Sequence, residues 1–109
     1  MTLVRKVVAV AASLMCSTSA MALTSNELEK GVSEALSFST ANSALAIYVS
    51  GYVTGSVNSA LNVGLACVDK DKASTLDLLR QVEKYIQLNP SEKADGAQLL
   101  INRAFFCTK

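Results

Sequence analysis

An uncharged stretch in the middle of the chain, YVSGYVTGSVNSALNVGLACV, constrains the fold more than any other feature. It runs for 21 residues from Tyr48 to Val68, and a helix needs about 20 mainly apolar residues to cross a bilayer. However, six of its side chains are Ser, Thr or Asn, and each would need an internal hydrogen-bond partner in hydrocarbon. No basic flank follows Val68 to mark a cytoplasmic side. We therefore predict the central helix of a small soluble bundle and no membrane span.

The first 22 residues have the pattern of a secretory signal peptide. Arg5 and Lys6 precede an apolar run, and Ala20-Met21-Ala22 supplies a small-residue cleavage site. We expect residues 1–22 to be removed and residues 23–109 to form one exported domain; the alternative is a short N-terminal helix of the mature fold. Without Arg5 and Lys6, eight basic residues oppose nine acidic ones. No basic cluster is left, which argues against nucleic acid or anionic lipid as a partner.

Two cysteines, Cys67 and Cys107, belong to the predicted mature chain. A domain this small buries only about 60% of its unfolded surface and often needs a covalent staple. An even number of cysteines in an oxidising compartment predicts a disulfide, which would stabilise the fold by roughly 4 kcal/mol. The alternative is a pair of reduced thiols with redox chemistry, although the chain has no C-x-x-C pair.

Helical spacing and capping signals predict an all-α fold, a small four-helix bundle with one disulfide. The predicted helices run from Thr24 to about Leu36, from Ala41 to about Leu65, from Ser74 to Asn89 and from Asp95 onward. Their predicted apolar faces are Leu45, Tyr48, Val49, Tyr52, Ser56, Ser59, Ala60 and Val63 on the second helix, Leu76, Leu79, Val82 and Ile86 on the third, and Leu100, Ile101, Ala104 and Phe105 on the fourth.

Small residues on the second helix predict a place of close approach. Gly51, Tyr52, Gly55 and Ser59 are expected to contact either a neighbouring helix or a second copy of the chain in a homodimer. A glycine inside a helix costs about 1 kcal/mol relative to alanine, so two of them one turn apart indicate close packing. The aromatic side chains expected in the core are Tyr52, Tyr85, Phe105 and Phe106.

Catalytic and ligand-binding motifs are absent from the sequence. The chain has no histidine, which excludes Ser-His and Cys-His pairs and the H-E-x-x-H zinc motif. Asp69-x-Asp71 resembles the start of a calcium loop, but Ser74 and Arg80 occupy the positions that require Gly and a bidentate Glu. A Ser–Lys or paired-carboxylate enzyme stays open, yet no carboxylate lies in the apolar stretch. We expect a binding protein without catalytic residues, metal or cofactor.

Four short segments, in order and with compatible spacing, resemble a known family. They are GYVTG at 51–55, ACV at 66–68, TLDLLRQVEKYIQLNP at 75–90 and AFFC at 104–107. This series is similar to that of the Rap/Tai immunity proteins, small periplasmic helical proteins of bacteria with type VI secretion systems. The resemblance implies a protein that binds and inhibits a peptidoglycan amidase effector and so protects the producing cell. Many relatives carry a second cysteine pair, and those places are occupied here by residues near Gly31 and by Val49.

Inhibitory contacts are expected on loops between rigid helices, and two loops qualify, from Asp69 to Ser74 and from Asn89 to Asp95. The candidate partner-binding residues are Asp69, Lys70, Asp71, Lys72, Pro90, Ser91 and Glu92. The alternative function is an HdeA-like periplasmic acid-stress chaperone, which would release apolar surface as carboxylates become protonated. A third class, a minor subunit of an envelope assembly, predicts no activity of the isolated protein.

Overall fold

The structure, a computed structural model, describes residues 23–107; the predicted signal peptide, residues 1–22, lies outside this range. The described chain contains four α-helices, α1 (Ser25–Leu36), α2 (Ala44–Asn62), α3 (Thr75–Leu88) and α4 (Ala97–Ala104). Short 3-10 turns at Lys70–Lys72 and Pro90–Ala94 precede α3 and α4. Between residues 23 and 107 the only β-type pairing is an isolated antiparallel bridge between Ala66 and Phe106. The predicted all-α bundle is confirmed.

Local capping determines where the first three helices begin. The Thr24 hydroxyl accepts a hydrogen bond from the Glu27 amide at 3.1 Å, and the Glu27 carboxylate accepts one from the Thr24 amide at 3.1 Å. Ser43 and Ser74 cap α2 and α3 in the same N-terminal position. The start predicted for α2 was therefore too early. Its end lies at Asn62 rather than Leu65, because Gly64 adopts a left-handed conformation with φ of 74°.

The core lies where the four helices meet, and α2 contributes a narrow row of small side chains to it. The buried apolar residues of the helices are Leu28, Val32 and Ala35 of α1, Ala46, Val49, Val53 and Val57 of α2, Leu78, Leu79, Val82 and Ile86 of α3, and Ala97, Leu100 and Ile101 of α4. The predicted face of α2 is wrong in part, since Tyr48, Ser59 and Val63 are exposed. On an uncharged helix, side-chain polarity differs too little between faces to show which one is buried.

The predicted disulfide is confirmed. Cys67 and Cys107 are joined with their Cα atoms 5.0 Å apart, connecting the chain after α2 to the chain after α4. The Cys67 amide also donates to the Phe105 carbonyl oxygen at 2.9 Å. Phe105 is buried as expected, whereas Phe106 is 63% exposed and does not belong to the core. Within residues 23–107, no helix combines the length and the apolarity that crossing a membrane requires.

Candidate functional site

The Asp69–Ser74 loop is held firmly at both of its ends. On one side, the Cys67–Cys107 disulfide and the Ala66–Phe106 bridge fix the chain that enters it. On the other, the Ser74 hydroxyl accepts from the Asp77 amide at 3.2 Å and donates to the Asp77 carboxylate at 2.7 Å. Between these anchors the chain makes one 3-10 turn, and every residue from 69 to 76 is exposed. The loop is therefore short and exposed, and both of its ends are fixed by the fold.

The charged side chains of this loop take no part in the hydrogen bonds and ion pairs of the described fold. Asp69, Lys70, Asp71 and Lys72 make no side-chain hydrogen bond or ion pair with any residue from 23 to 107. The only local bond is between backbone groups, from the Lys72 amide to the Asp69 carbonyl oxygen at 2.9 Å. Two carboxylates and two ammonium groups are thus presented to solvent side by side, where a partner could reach them.

The Asn89–Asp95 loop is different, because its charged side chains hold it against the helices. Glu92 accepts from the Tyr85 hydroxyl at 2.7 Å and from Arg103 Nη1 at 2.8 Å. Arg103 Nη1 also lies 2.7 Å from the Asp95 carboxylate. Lys93 pairs with Glu29 of α1 at 2.8 Å. Pro90 and Ser91 are exposed. Of the three candidate partner-binding residues in this loop, Glu92 is therefore engaged within the fold, and Pro90 and Ser91 are accessible to a partner.

Shifts in pKa follow from the same contacts. Burial raises the pKa of the Tyr85 phenol, and its hydrogen bond to the Glu92 carboxylate raises it further. The hydrogen bond to Asp95 raises the pKa of the Arg103 guanidinium, with Glu92 adding to the effect. Both shifts favour the arrangement in which Tyr85 is neutral and Arg103 is charged. The network is therefore a structural clamp on the Asn89–Asp95 loop.

A shallow groove of about 630 Å³ lies beside the Asp69–Ser74 loop, between the loop and α3. Asp69 and Lys72 of the loop and Arg80 and Lys84 of α3 all line it. Arg80 and Lys84 are one helical turn apart and so point the same way. Sequence reasoning missed these two basic residues and also missed Arg103, whose partners Glu92 and Asp95 lie eleven and eight residues away in sequence. For Arg80 and Lys84, the sequence did contain a signal: they are four residues apart, which places both on one face of a helix.

The residues predicted for close approach on α2 lie at the surface. No heavy atom of another part of the described chain lies within 4 Å of the Cβ position of Gly51 or Gly55, and Ser59 is exposed. The expectation that a neighbouring helix packs against these glycines is wrong, because the residues of α2 that are buried against the other helices are Ala46, Val49, Val53 and Val57. Only Tyr52 is half-buried, and its hydroxyl donates to Gln98 of α4 at 3.1 Å. Contact with a second copy stays a prediction.

Among residues 23–107 there is no group of three or more Cys, Asp or Glu side chains placed to hold a metal ion. The structure thus brings together one projecting charged loop and one adjoining groove of mixed charge. Comparisons of the chain with protein-family models, with curated proteins and with solved structures gave no match.

Proposed function

We propose that this protein is a type VI secretion immunity protein that binds and inhibits a peptidoglycan amidase effector, and that it is not itself an enzyme. The sequence motifs of residues 51–107 suggest the class of protein. The observation that carries the proposal is the Asp69–Ser74 loop, which is anchored at both ends and presents four charges with no partner in the described fold.

A loop of this kind is suited to enter the cleft of another protein. Association costs free energy for every segment that must be ordered. The disulfide at Cys67 and the cap at Ser74 have already ordered this loop before any partner arrives. A small contact can then be sufficient for tight binding, because less of the interaction free energy is consumed in immobilising the loop.

The chemistry of the loop fits an amidase cleft. The resemblance implies an effector with a Cys-His site, and such a site contains N–H donors that hold the substrate. The carboxylates of Asp69 and Asp71 could accept charge-assisted hydrogen bonds from those donors. Lys72, Arg80 and Lys84 line the adjoining groove and could pair with acidic residues at the rim of the cleft. The Asn89–Asp95 loop is the weaker candidate, since the Glu92 carboxylate already accepts hydrogen bonds from Arg103 and Tyr85.

The contact between α1 and α2 also supports the resemblance. Relatives with a second cysteine pair carry it at places that correspond to residues near Gly31 and to Val49. In the present fold Gly31 and Val49 face each other in close contact. Two positions that are 18 residues apart in sequence are therefore neighbours in space, as a pair of bridged cysteines would have to be.

Periplasmic location belongs to the same proposal. Effectors delivered by neighbouring cells attack peptidoglycan in the periplasm, so the inhibitor has to be exported there. The predicted signal peptide in residues 1–22 would provide that export, and the Cys67–Cys107 disulfide is the kind of bond that an oxidising compartment maintains.

The alternative is an HdeA-like acid-stress chaperone, and the exposed apolar side chains Ile47, Val63 and Leu65 are the observation that favours it. Such a chaperone needs carboxylates whose protonation uncovers apolar surface. The uncharged chain from residue 35 to residue 68 contains none, so acid would not act directly on this surface. We therefore prefer the immunity function.

The test is binding and protection with peptidoglycan amidases of the Cys-His class, beginning with any that is encoded beside the gene for this protein. Purified protein should bind such an amidase, inhibit its cleavage of peptidoglycan peptides, and protect cells that export the amidase. We expect Asp69→Ala/Asp71→Ala to weaken binding at least about tenfold, since each charge-assisted hydrogen bond is worth roughly 1.5–3 kcal/mol. The melting temperature should not change, because neither carboxylate makes a side-chain hydrogen bond or ion pair with any residue from 23 to 107.

The matched control is Glu83→Ala, compared with Asp69→Ala alone. Glu83 also makes no side-chain hydrogen bond or ion pair with another described residue; its replacement removes the same charge from a different groove, between α1 and α3, and should leave binding unchanged. If the wild-type protein neither binds nor protects, the immunity function is wrong; suppression of acid-induced aggregation of other proteins would then establish the chaperone. If the Asp69/Asp71 variant protects fully, the loop assignment is wrong and the immunity function stands.

A further inference from the structure

The basic side chains of residues 23–107 fall into two groups, those that pair with a carboxylate and those that do not. Three form ion pairs with carboxylates of α1 or of the Asn89–Asp95 loop: Lys30, Lys93 and Arg103. The other four make no side-chain hydrogen bond or ion pair within that range: Lys70, Lys72, Arg80 and Lys84. All four unpaired cations lie in the Asp69–Ser74 loop or on the helix that follows it. The positive charge that the fold leaves unpaired is therefore concentrated in one part of the chain.

Three of these unpaired cations line the groove of about 630 Å³ between the Asp69–Ser74 loop and α3. Lys72 belongs to the loop, whereas Arg80 and Lys84 belong to α3. Residues four apart on a helix have Cβ atoms about 5–6 Å from each other. The α3 wall is held in place, since Gln81 Nε2 donates to a carbonyl oxygen of α4 at 3.2 Å. We call this space the basic groove, and Lys72, Arg80 and Lys84 its cations.

Two carboxylates in the basic groove limit its positive charge. Asp77 is already engaged, since it accepts a hydrogen bond from the Ser74 hydroxyl at 2.7 Å, whereas Asp69 makes no side-chain hydrogen bond or ion pair with residues 23–107. Three cations and two carboxylates leave the groove a net charge of +1. The predicted mature chain has eight basic and nine acidic residues, so its residues outside the groove carry −2. A run of phosphates would meet Asp69, and the groove therefore fits separate carboxylates better than a nucleic acid.

We propose that the basic groove receives an acidic segment of the effector, in which one carboxylate pairs with Arg80, the next with Lys84 and a further one with Lys72. The inference rests on the proposed function for the identity of the partner. The Arg80 guanidinium can hold a carboxylate through two parallel hydrogen bonds. Because the Asp69–Ser74 loop forms one wall of the groove, a segment bound there fixes the direction from which the loop enters the amidase cleft.

Unpaired cations affect both the rate and the strength of binding. A cluster of one charge sign attracts an oppositely charged partner and raises the association rate, an effect that salt weakens. Once the two proteins meet, water is displaced from the groove, and each ion pair becomes stronger than a pair on an open surface. Since no residue from 23 to 107 pairs with the cations of the basic groove, a partner has no existing ion pair to break. The association rate and its salt dependence therefore report on the groove.

The first test uses the full mature chain and a Cys-His amidase that it binds. Arg80→Gln/Lys84→Gln should raise the dissociation constant at least about tenfold, mainly through slower association, and should reduce its dependence on salt. The melting temperature should change little, because neither cation has an ion pair in the described fold. The matched control, Ser33→Glu/Gln87→Glu, makes the same change in net charge in the groove between α1 and α3 and should leave binding unchanged. A variant at Arg80 and Lys84 that binds as fast as the wild type would overturn the inference and leave the immunity function standing.

The second test needs no effector. A hexapeptide of glutamate should shift the amide NMR signals of Lys72, Arg80 and Lys84 at about 0.05 M salt, and the shifts should disappear at about 0.5 M salt and in Arg80→Gln/Lys84→Gln. A hexapeptide of glutamine is the control and should cause no shift. Absence of shifts with the glutamate peptide, or tighter binding of a DNA hexanucleotide, would overturn the inference of a carboxylate-binding groove. Binding of the glutamate peptide by a protein that binds no amidase would instead support the groove and refute the immunity function.

Discussion

A Cβ atom at Gly31 would overlap Cγ2 of Val49 and would lie 2.7 Å from Cβ of Val49. Non-bonded carbon atoms prefer separations of about 3.5–4.0 Å, so only glycine allows α1 to lie this close to α2. The glycine that the packing requires is therefore in α1, whereas Gly51 and Gly55 of α2 face outward. This contact sets the distance between the two helices and with it the position of the valine row in the core.

The same substitution should have opposite effects at two glycines. We expect Gly31→Ala to destabilise the protein by up to about 2 kcal/mol, since overpacking costs roughly 1–3 kcal/mol and the gain in helix propensity returns only about 1 kcal/mol. Gly55→Ala should stabilise the monomer by up to about 1 kcal/mol, because its Cβ meets nothing. Urea unfolding at low protein concentration measures both. Equal effects at the two positions would contradict the packing described here.

Cysteines introduced at the α1–α2 contact should form a disulfide. In Gly31→Cys/Val49→Cys the two Cβ atoms start closer than the usual Cβ–Cβ separation of about 3.5–4.5 Å in a disulfide, so α1 and α2 must separate slightly. The bridge would close a short loop and stabilise the fold by up to about 3 kcal/mol, less any strain. Peptide mapping without reductant detects it. Ser33→Cys/Val49→Cys is the control, since Ser33 is exposed and should stay unbridged.

Removal of the native disulfide should destabilise the fold and loosen the Asp69–Ser74 loop together. Cys67→Ser/Cys107→Ser is expected to cost about 2–5 kcal/mol, as for other small domains. Hydrogen exchange of the amides from residue 66 to residue 74 should become faster than in α1, which the bridge does not hold. Reductant should lower the melting temperature of the wild-type protein and leave the variant unchanged; equal melting temperatures without reductant would refute a structural role.

Arg103 should control the order of the Asn89–Asp95 loop more than overall stability. Its two ion pairs are partly exposed, and exposed pairs contribute little, about 0–1 kcal/mol. We expect Arg103→Gln to lower the unfolding free energy by no more than about 1 kcal/mol and to increase hydrogen exchange from residue 90 to residue 95. Lys30→Gln removes a charge from the weaker pair at 4.0 Å in α1 and should leave that loop unchanged.

Glu27 should make part of the stability depend on acid pH. The hydrogen bond from the Thr24 amide lowers the pKa of the Glu27 carboxyl from its ordinary value of 4.5. A depressed pKa contributes stability that is fully present above pH 4.5 and is lost as the pH falls through the lower folded value. Glu27→Gln should therefore flatten the decrease in stability below pH 4.5, as measured by urea unfolding from pH 7 to pH 3. An unchanged slope would contradict this assignment.

The starts of α1 and α3 were predicted correctly from single side chains, because caps act within three residues, whereas the start of α2 was placed at Ala41, three residues too early. Thr24 and Ser74 were identified in this way, and Ser43 shows the same signal. Of the face predicted for α3, Leu79, Val82 and Ile86 are buried, since charged residues on the other side give the helix a clear polarity contrast. Leu76, predicted on the same face, is 49% exposed, and Leu78 is buried instead. The disulfide followed from having only two cysteines in the predicted mature chain.

The tertiary structure determined which side of α2 is buried and which loop is held against the helices, and local sequence signals specify neither. Helix α2 has no charged residue to mark its outer face, so its buried side was set by which residues fit against Gly31 and the other helices. For the same reason the exposure of Gly51, Gly55 and Phe106 was not foreseen. The two candidate loops looked alike in sequence, and only the placement of Arg103 and Tyr85 distinguished the clamped loop from the projecting one. Caps and periodic polarity act over a few residues, whereas packing partners and ion pairs are chosen by the fold as a whole.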